Sequence, residues 1–103
     1  MGITENMHRA VMMKKKDNVA MALGDIPAGA AVELRVEDIH FTVTMRDSIA
    51  FGHKFAVRPI SIKEDIVKYG EVIGMANRNI QEGEHVHVHN LDGKRGRGDQ
   101  HGA

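Results

Sequence analysis

The sequence predicts a mostly β protein built of short strands and many turns, and three observations carry that prediction. Apolar and polar residues alternate in Val32-Glu33-Leu34-Arg35-Val36 and again in Ile39-His40-Phe41-Thr42-Val43-Thr44. That period of two places one set of side chains on a core and the other in solvent. Helical periodicity is poor, with only residues 46–51 and 63–68 suited to one short helical turn each. A common frame also recurs along the chain: a small apolar residue, Ile four later, Gly or Lys three after that, then Val or Ile three further. It fits Ala22/Ile26/Gly29/Val32, Ala56/Ile60/Lys63/Ile66 and Ala76/Ile80/Gly83/Val86. Each unit reads as a strand end, an anchoring Ile, a reverse turn and entry into the next strand.

In chain order, residues 1–16 are polar and Met-rich and are expected to be a flexible N-terminus. Ala10-Val11-Met12-Met13 is their one apolar stretch. The domain is expected to occupy 17–91. Asp17 to Leu23 reads as an apolar strand ended by Gly24-Asp25, and Ile26-Pro27-Ala28-Gly29 as a turn. After the two alternating strands, Gly70 and Gly74 mark turns or close backbone approach. Residues 92–103, with Arg95 and Arg97 among glycines, read as a flexible tail that would order only on a partner.

Composition removes several function classes. The chain has 103 residues, enough for one modest core, with 14 basic and 14 acidic residues. Zero net charge gives no field to gather nucleic acid, and one Tyr, three Phe and no Trp offer little base stacking. No apolar run is long enough to span a membrane, and nothing resembles a signal peptide, so a cytoplasmic home is expected. The absence of Cys excludes disulfides and thiolate chemistry. A small core poor in aromatics would gain from a partner subunit or from a second copy of the chain.

The chemistry is concentrated in Glu84-His85-Val86-His87-Val88-His89-Asn90. Read as a strand, it puts His85, His87 and His89 on one face and Val86 and Val88 on the other. The row serves equally as the polar face of a half-buried strand or as metal ligands. Residues two apart in a strand are roughly 6.5 Å apart, so two of the three with outside groups form a better metal site than all three. His40 reads as a surface histidine, His8 and His101 as tail residues, and the methionines as gap-filling core.

The order Asp17-Asn18-Val19-Ala20, Gly52-His53-Lys54-Phe55-Ala56, Ile66-Val67-Lys68-Tyr69-Gly70 with Ile73-Gly74, and Gly83 to Asn90 resembles the small subunit of altronate dehydratase. It is similar also to the N-terminal domain of galactarate dehydratase and to the small subunit of sulfolactate sulfo-lyase. The resemblance covers residues 17–99 and implies a SAF-type β-clip. It implies a lyase that removes water, or sulfite, from a small hydroxy acid, with a divalent metal, Fe(II) or Mn(II), shared with a large catalytic subunit. On that reading His53, Lys54, Lys68 and His87 are catalytic, Tyr69 and Asn90 bind the sugar acid, and His85, His87 and His89 bind metal. A metal is useful because the proton beside a carboxylate is weakly acidic and the enolate-like charge needs stabilising. The rivals are the sulfo-lyase and a non-catalytic module that binds a small acid or a metal.

Overall fold

A computed structural model of the chain describes residues 9–93. The expected tail residues Arg95 and Arg97, and His8 and His101, lie outside them. Among the described residues the architecture is all strand: β1 (Ala10–Val11), β2 (Val19–Ala22), β3 (Ala31–Val36), β4 (Ile39–Thr44), β5 (Lys54–Ala56), β6 (Asp65–Lys68), β7 (Glu71–Ala76), β8 (His85–Val86) and β9 (Leu91–Gly93). They form three antiparallel sheets: β1-β2-β5-β8, the β3-β4 hairpin, and β6-β7-β9. This is the folded-over arrangement expected of a β-clip.

The four-stranded sheet separates two cores. Ala20, Ala22, Phe55 and Val57 pack on one side with Ile26, Leu34, Val43 and Ile49. Val19, Ala56 and Val86 pack on the other with Ile60, Ile66 and Ile80. Cover on both faces is why Val19-Ala20-Met21-Ala22 reads as a continuous apolar run, whereas β3, with one face in solvent, alternates.

The repeated frame is the device that folds the chain. Ile60 and Ile80 exchange both backbone hydrogen bonds at 2.8 Å. The Lys63 N–H donates to the Ala76 carbonyl and the Gly83 N–H to the Ala56 carbonyl, so the two units clasp each other reciprocally. The first unit has an equivalent partner that the frame search missed, Met45/Ile49/Gly52/Phe55. Ile26 and Ile49 exchange their bonds at 2.8 Å, Gly29 N–H donates to the Met45 carbonyl, and Gly52 N–H donates to the Ala22 carbonyl. The third frame position is left-handed in all four units: Gly29, Gly52, Lys63 and Gly83 have φ of 89°, 83°, 73° and 84°. The residue before the central Ile often caps the partner unit. Asp25 Oδ1 accepts from Phe51 N–H at 2.9 Å and Asn79 Oδ1 from Ile62 N–H at 2.8 Å.

These clasps correct the two expected helical turns, for no described residue is helical. Ile49 is held by Ile26, and the Val67 N–H and C=O are both bound by Asn18, so these groups at the middle of each segment are not available to a helical turn.

N-terminal to the four-stranded sheet's central strands, β1 pairs with β2 and Met12 is buried, so the described fold takes in residues ahead of Asp17. Asp17 itself is buried. Its carboxylate accepts from the N–H groups of Met13, Lys14 and Gly70 at 3.1, 3.1 and 2.7 Å. Asn18 ties β2 to β6 through Asp65 O at 2.8 Å and Val67 N–H at 2.7 Å.

Gly83 is the least replaceable turn residue, because a Cβ there would strike the Thr44 carbonyl oxygen as well as strain the left-handed backbone. Gly29 shares the φ but faces open space. Gly83→Ala should therefore destabilise by about 2 kcal/mol or more and Gly29→Ala by about 1 kcal/mol. Thermal unfolding checks the order of the two; equal melting points would contradict it.

Candidate metal centre

Strand β5 carries the first histidine to the site and β8 the second. Their register sets Phe55 opposite His85 and Lys54 opposite Val86. His53, immediately ahead of β5, follows the left-handed Gly52 of the fourth repeat unit. The result is a hydrogen bond of 2.9 Å between His53 Nδ1 and His85 Nε2. Two protonated imidazoles could not make this contact, so at least one of the pair is neutral.

His87 arrives by a different route from the one expected. The strand stops at Val86, and His87 to Asn90 form a turn. The cause is Asn90, wholly buried, whose Oδ1 accepts from His87 N–H at 2.9 Å and whose Nδ2 donates to His85 O at 2.8 Å. The His87 carbonyl also accepts from the Asn90 and Leu91 N–H groups. Side-chain capture of the backbone wins over strand alternation here. Val86 and Val88 therefore do not share a face: Val86 is 0% exposed and Val88 is 75% exposed. The turn folds His87 back toward His53, with ring centroids 4.7 Å apart, and stacks it on His85 at 5.5 Å.

His53, His85 and His87 each offer a ligand atom, and these atoms lie within 4.8 Å of one another. Cis imidazole nitrogens around one ion with bonds near 2.1 Å are about 3 Å apart. The His53–His85 pair already has that spacing. The expected set His85/His87/His89 is thus rearranged: His53 joins the group, while His89 is outside it, its ring tilted against His85 at 5.4 Å. Asp47, which the motif reading did not include, takes the His85 backbone N–H at 2.9 Å.

Electrostatics favour neutral rings. His85 is held below the ordinary imidazole value by burial and by His53, His89 and His87, with Asp47 opposing. His87 is lowered by desolvation and by His53, Lys54 and His89. Neutral imidazole is the form that binds a cation. Lys54, half-buried on β5, is lowered by burial and then by Lys68. Among the described residues no carboxylate forms an ion pair with either lysine.

Lys68 lies at the end of β6 with its Nζ 4.9 Å from the Tyr69 ring centroid. Tyr69 and Gly70, both left-handed, make the tight turn into β7. Asn90, expected at the substrate, is buried with its amide oxygen and nitrogen each bonded to backbone, so it positions His85 and His87. His40 is on the surface, 3.5 Å from Glu33. The open depression lined by Asp25, Ile26, Pro27, Ser48, Ile49 and Ala50 lies on the first clasp. Its one carboxylate already binds Phe51 N–H, and it brings no cluster of titratable groups.

Comparison with known proteins bears on this geometry. Residues 8–94 match the family model described as the altronate/galactarate dehydratase SAF domain. The chain is 40% identical over 84 residues to an altronate dehydratase of Bacillus subtilis (strain 168), covering 82% of this chain and 16% of that protein. An altronate dehydratase of Escherichia coli (strain K12) is 45% identical over 74 residues, which is 72% of this chain and 14% of the relative. The (2R)-sulfolactate sulfo-lyase subunit alpha of Chromohalobacter salexigens is 45% identical over 51 residues, 50% of this chain and 54% of the subunit. The chain thus spans about one-sixth of the length of the two dehydratases.

Two predictions follow from the ring geometry. In a cobalt titration, His53→Ala, His85→Ala and His87→Ala should each weaken binding about tenfold or more, and His89→Ala much less; equal losses at all four would contradict the three-ligand group. For the metal-free chain, NMR should place the His85 and His87 midpoints below 6.5. A lowered imidazole pKa means the unfolded chain binds the proton more readily, so stability should fall as pH drops below about 6.5. Stability that rises on acidification over that range would contradict the lowered values.

Proposed function

The chain belongs to the altronate/galactarate dehydratase SAF domain family, and from that membership we propose that it forms one wall of a sugar-acid hydro-lyase active site. A large catalytic subunit completes the site. The observation that carries the reading is the convergence of His53, His85 and His87 beside two lysines that lack carboxylate partners.

A divalent metal, Fe(II) or Mn(II), would supply Lewis-acid stabilisation of the charge that develops when the α-proton leaves. His53, His85 and His87 would hold it, and their donor set fits: three nitrogen ligands, with His85 and His87 biased toward the neutral form, leave positions open for substrate oxygen and for groups of the large subunit. Asn90 fixes the turn that presents His87, and Asp47 fixes the His85 backbone.

Elimination needs a base for the α-proton and an acid for the departing β-hydroxyl. Lys54 is suited to proton transfer, since burial and Lys68 make its neutral form more accessible than that of a free lysine. Lys68, close enough to Lys54 to lower its pKa, is offered to the substrate carboxylate, and Tyr69, whose ring centroid lies 4.9 Å from the Lys68 Nζ, offers a hydroxyl to a sugar oxygen. His87 combines a place in the donor group with a partly open ring from which a proton can be exchanged. The reading places the reaction among soluble metabolites and outside nucleic-acid and membrane chemistry.

A second reading is the sulfo-lyase, favoured by one observation: the chain covers a far larger share of the sulfo-lyase subunit alpha than of the dehydratases. The product separates them, a 2-keto-3-deoxy acid in one case and sulfite in the other. In the assembled enzyme supplied with ferrous iron, His87→Ala should reduce altronate turnover about tenfold or more. A His87→Ala enzyme as fast as the parent would sink the role given to this residue.

A further inference from the structure

Tyr69 is held in a backbone conformation that a bulky side chain rarely adopts. Among the described residues, Glu37, Lys63 and Tyr69 are the non-glycine residues with a positive φ. Glu37 and Lys63 are exposed, whereas Tyr69 is aromatic, half-buried and packed beside Lys68. Its φ of 55° is followed by 80° at Gly70, and Lys68 pairs with Glu71 across the turn. Two left-handed residues in a two-residue hairpin loop make a type I′ turn, where Asn is an ordinary first residue. We propose that Asp17 is a positioning residue of the lyase reaction, its buried carboxylate holding this turn so that Tyr69 meets the substrate. The proposal rests on the lyase-subunit reading above.

Asp17 is 0% exposed, and among the described residues no basic side chain pairs with its carboxylate. Its oxygens are directed at backbone instead. Oδ1 accepts from Gly70 N–H at 2.7 Å, and Oδ2 from the Met13 and Lys14 N–H groups at 3.1 Å each. A β-turn closes through the N–H of its fourth residue, here Glu71, so the Gly70 N–H has no partner within the turn. Asp17 supplies one from 53 residues away. Arg58 fixes the backbone that carries the carboxylate, donating to Asp17 O at 2.7 Å and to Lys16 O at 3.2 Å. Lys14 seats on the same turn, its Cγ 3.2 Å from where a Cβ on Gly70 would lie.

Backbone strain of this kind persists where surrounding bonds over-determine it, and it clusters at active sites and ligand clamps. The place of the turn agrees with that. Lys68 acts on Lys54, and Lys54 on His87, in lowering their pKa values, which sets the turn beside the histidine group. The turn alone does not account for a Tyr, because Tyr69→Asn would satisfy the left-handed position with less strain. What Tyr adds is a hydroxyl at the end of a rigid ring. Its aim is set by the Tyr69-Gly70 backbone, and that backbone is anchored by Asp17.

Steady-state kinetics of the assembled enzyme with altronate test the assignment. Asp17→Ala should raise KM about tenfold or more with a smaller change in kcat. Its cobalt affinity, read on the isolated chain, should match the parent, because the histidines lie on other strands. Added to Tyr69→Phe, Asp17→Ala should have little further effect, since it acts through Tyr69. Tyr69→Asn should melt close to the parent and still raise KM about tenfold. A parent-like KM in Asp17→Ala would overturn the positioning role and leave the lyase reading standing. Cobalt affinity and activity lost together in Asp17→Ala would overturn it in favour of a purely structural carboxylate. Should Asp17→Ala not fold, Tyr69→Asn carries the test, and a parent-like KM there would overturn the proposal. No turnover by the parent enzyme would remove the lyase reading and the positioning role with it.

Discussion

The antiparallel pairing of β5 with β8 is the constraint on which the site depends. It brings His53 within hydrogen-bonding distance of His85, 32 residues away. The pairing is locked on one side by the exchange between Ile60 and Ile80, and next to it by Gly83 N–H on Ala56 O and Ala56 N–H on Glu84 O. A slip of one residue would carry His85 to the opposite face of the sheet and Phe55 out of its core. The frame that builds the fold is therefore also what assembles the histidines. His53 directly follows the left-handed residue of one unit, and His85 lies two residues beyond that of another.

Hydrogen bonding by a few buried side chains then refines the arrangement. Asp17, Asn18 and Asn90 are the buried polar residues among those described, and each is directed at backbone. Asn18 joins β2 to β6, and Asp17 holds the tip of the β6-β7 turn through Gly70, so the two together locate Lys68 and Tyr69. Asn90 does the same for His87. In a core made mostly of Ile, Val, Ala and Met with one Phe and one Leu, apolar contact is less directional than these bonds, which have one geometry. Losing such a partner leaves a buried donor or acceptor unpaired, at a cost of about 1–3 kcal/mol.

The strands at 31–36 and 39–44 were legible because one face of their hairpin meets solvent, so burial is written as alternation. The clasping frame was legible in three units and obscured in the fourth, where Met45 stands in the position of a small Ala. Its flexible thioether chain fills the same buried site, which a search by residue type does not register. The expected helical turns failed because their backbone groups are taken by residues far along the chain. The histidine row was the more instructive case. Alternation identified the right segment, but a single Asn at its end converts the last two histidines from strand to turn. The third member of the histidine cluster, His53, is brought in only by tertiary pairing, and its sequence signal was a Gly-His step ahead of a short apolar strand.

X-ray absorption at the metal edge of the loaded chain addresses the histidine group most directly, because multiple scattering from imidazole rings counts the bound histidines without reference to turnover. The geometry requires three imidazole nitrogens at about 2.0–2.2 Å, one of them lost in His53→Ala and none in His89→Ala. A shell dominated by oxygen, or one unchanged by His53→Ala, would contradict the convergence of β5 and β8 on a metal.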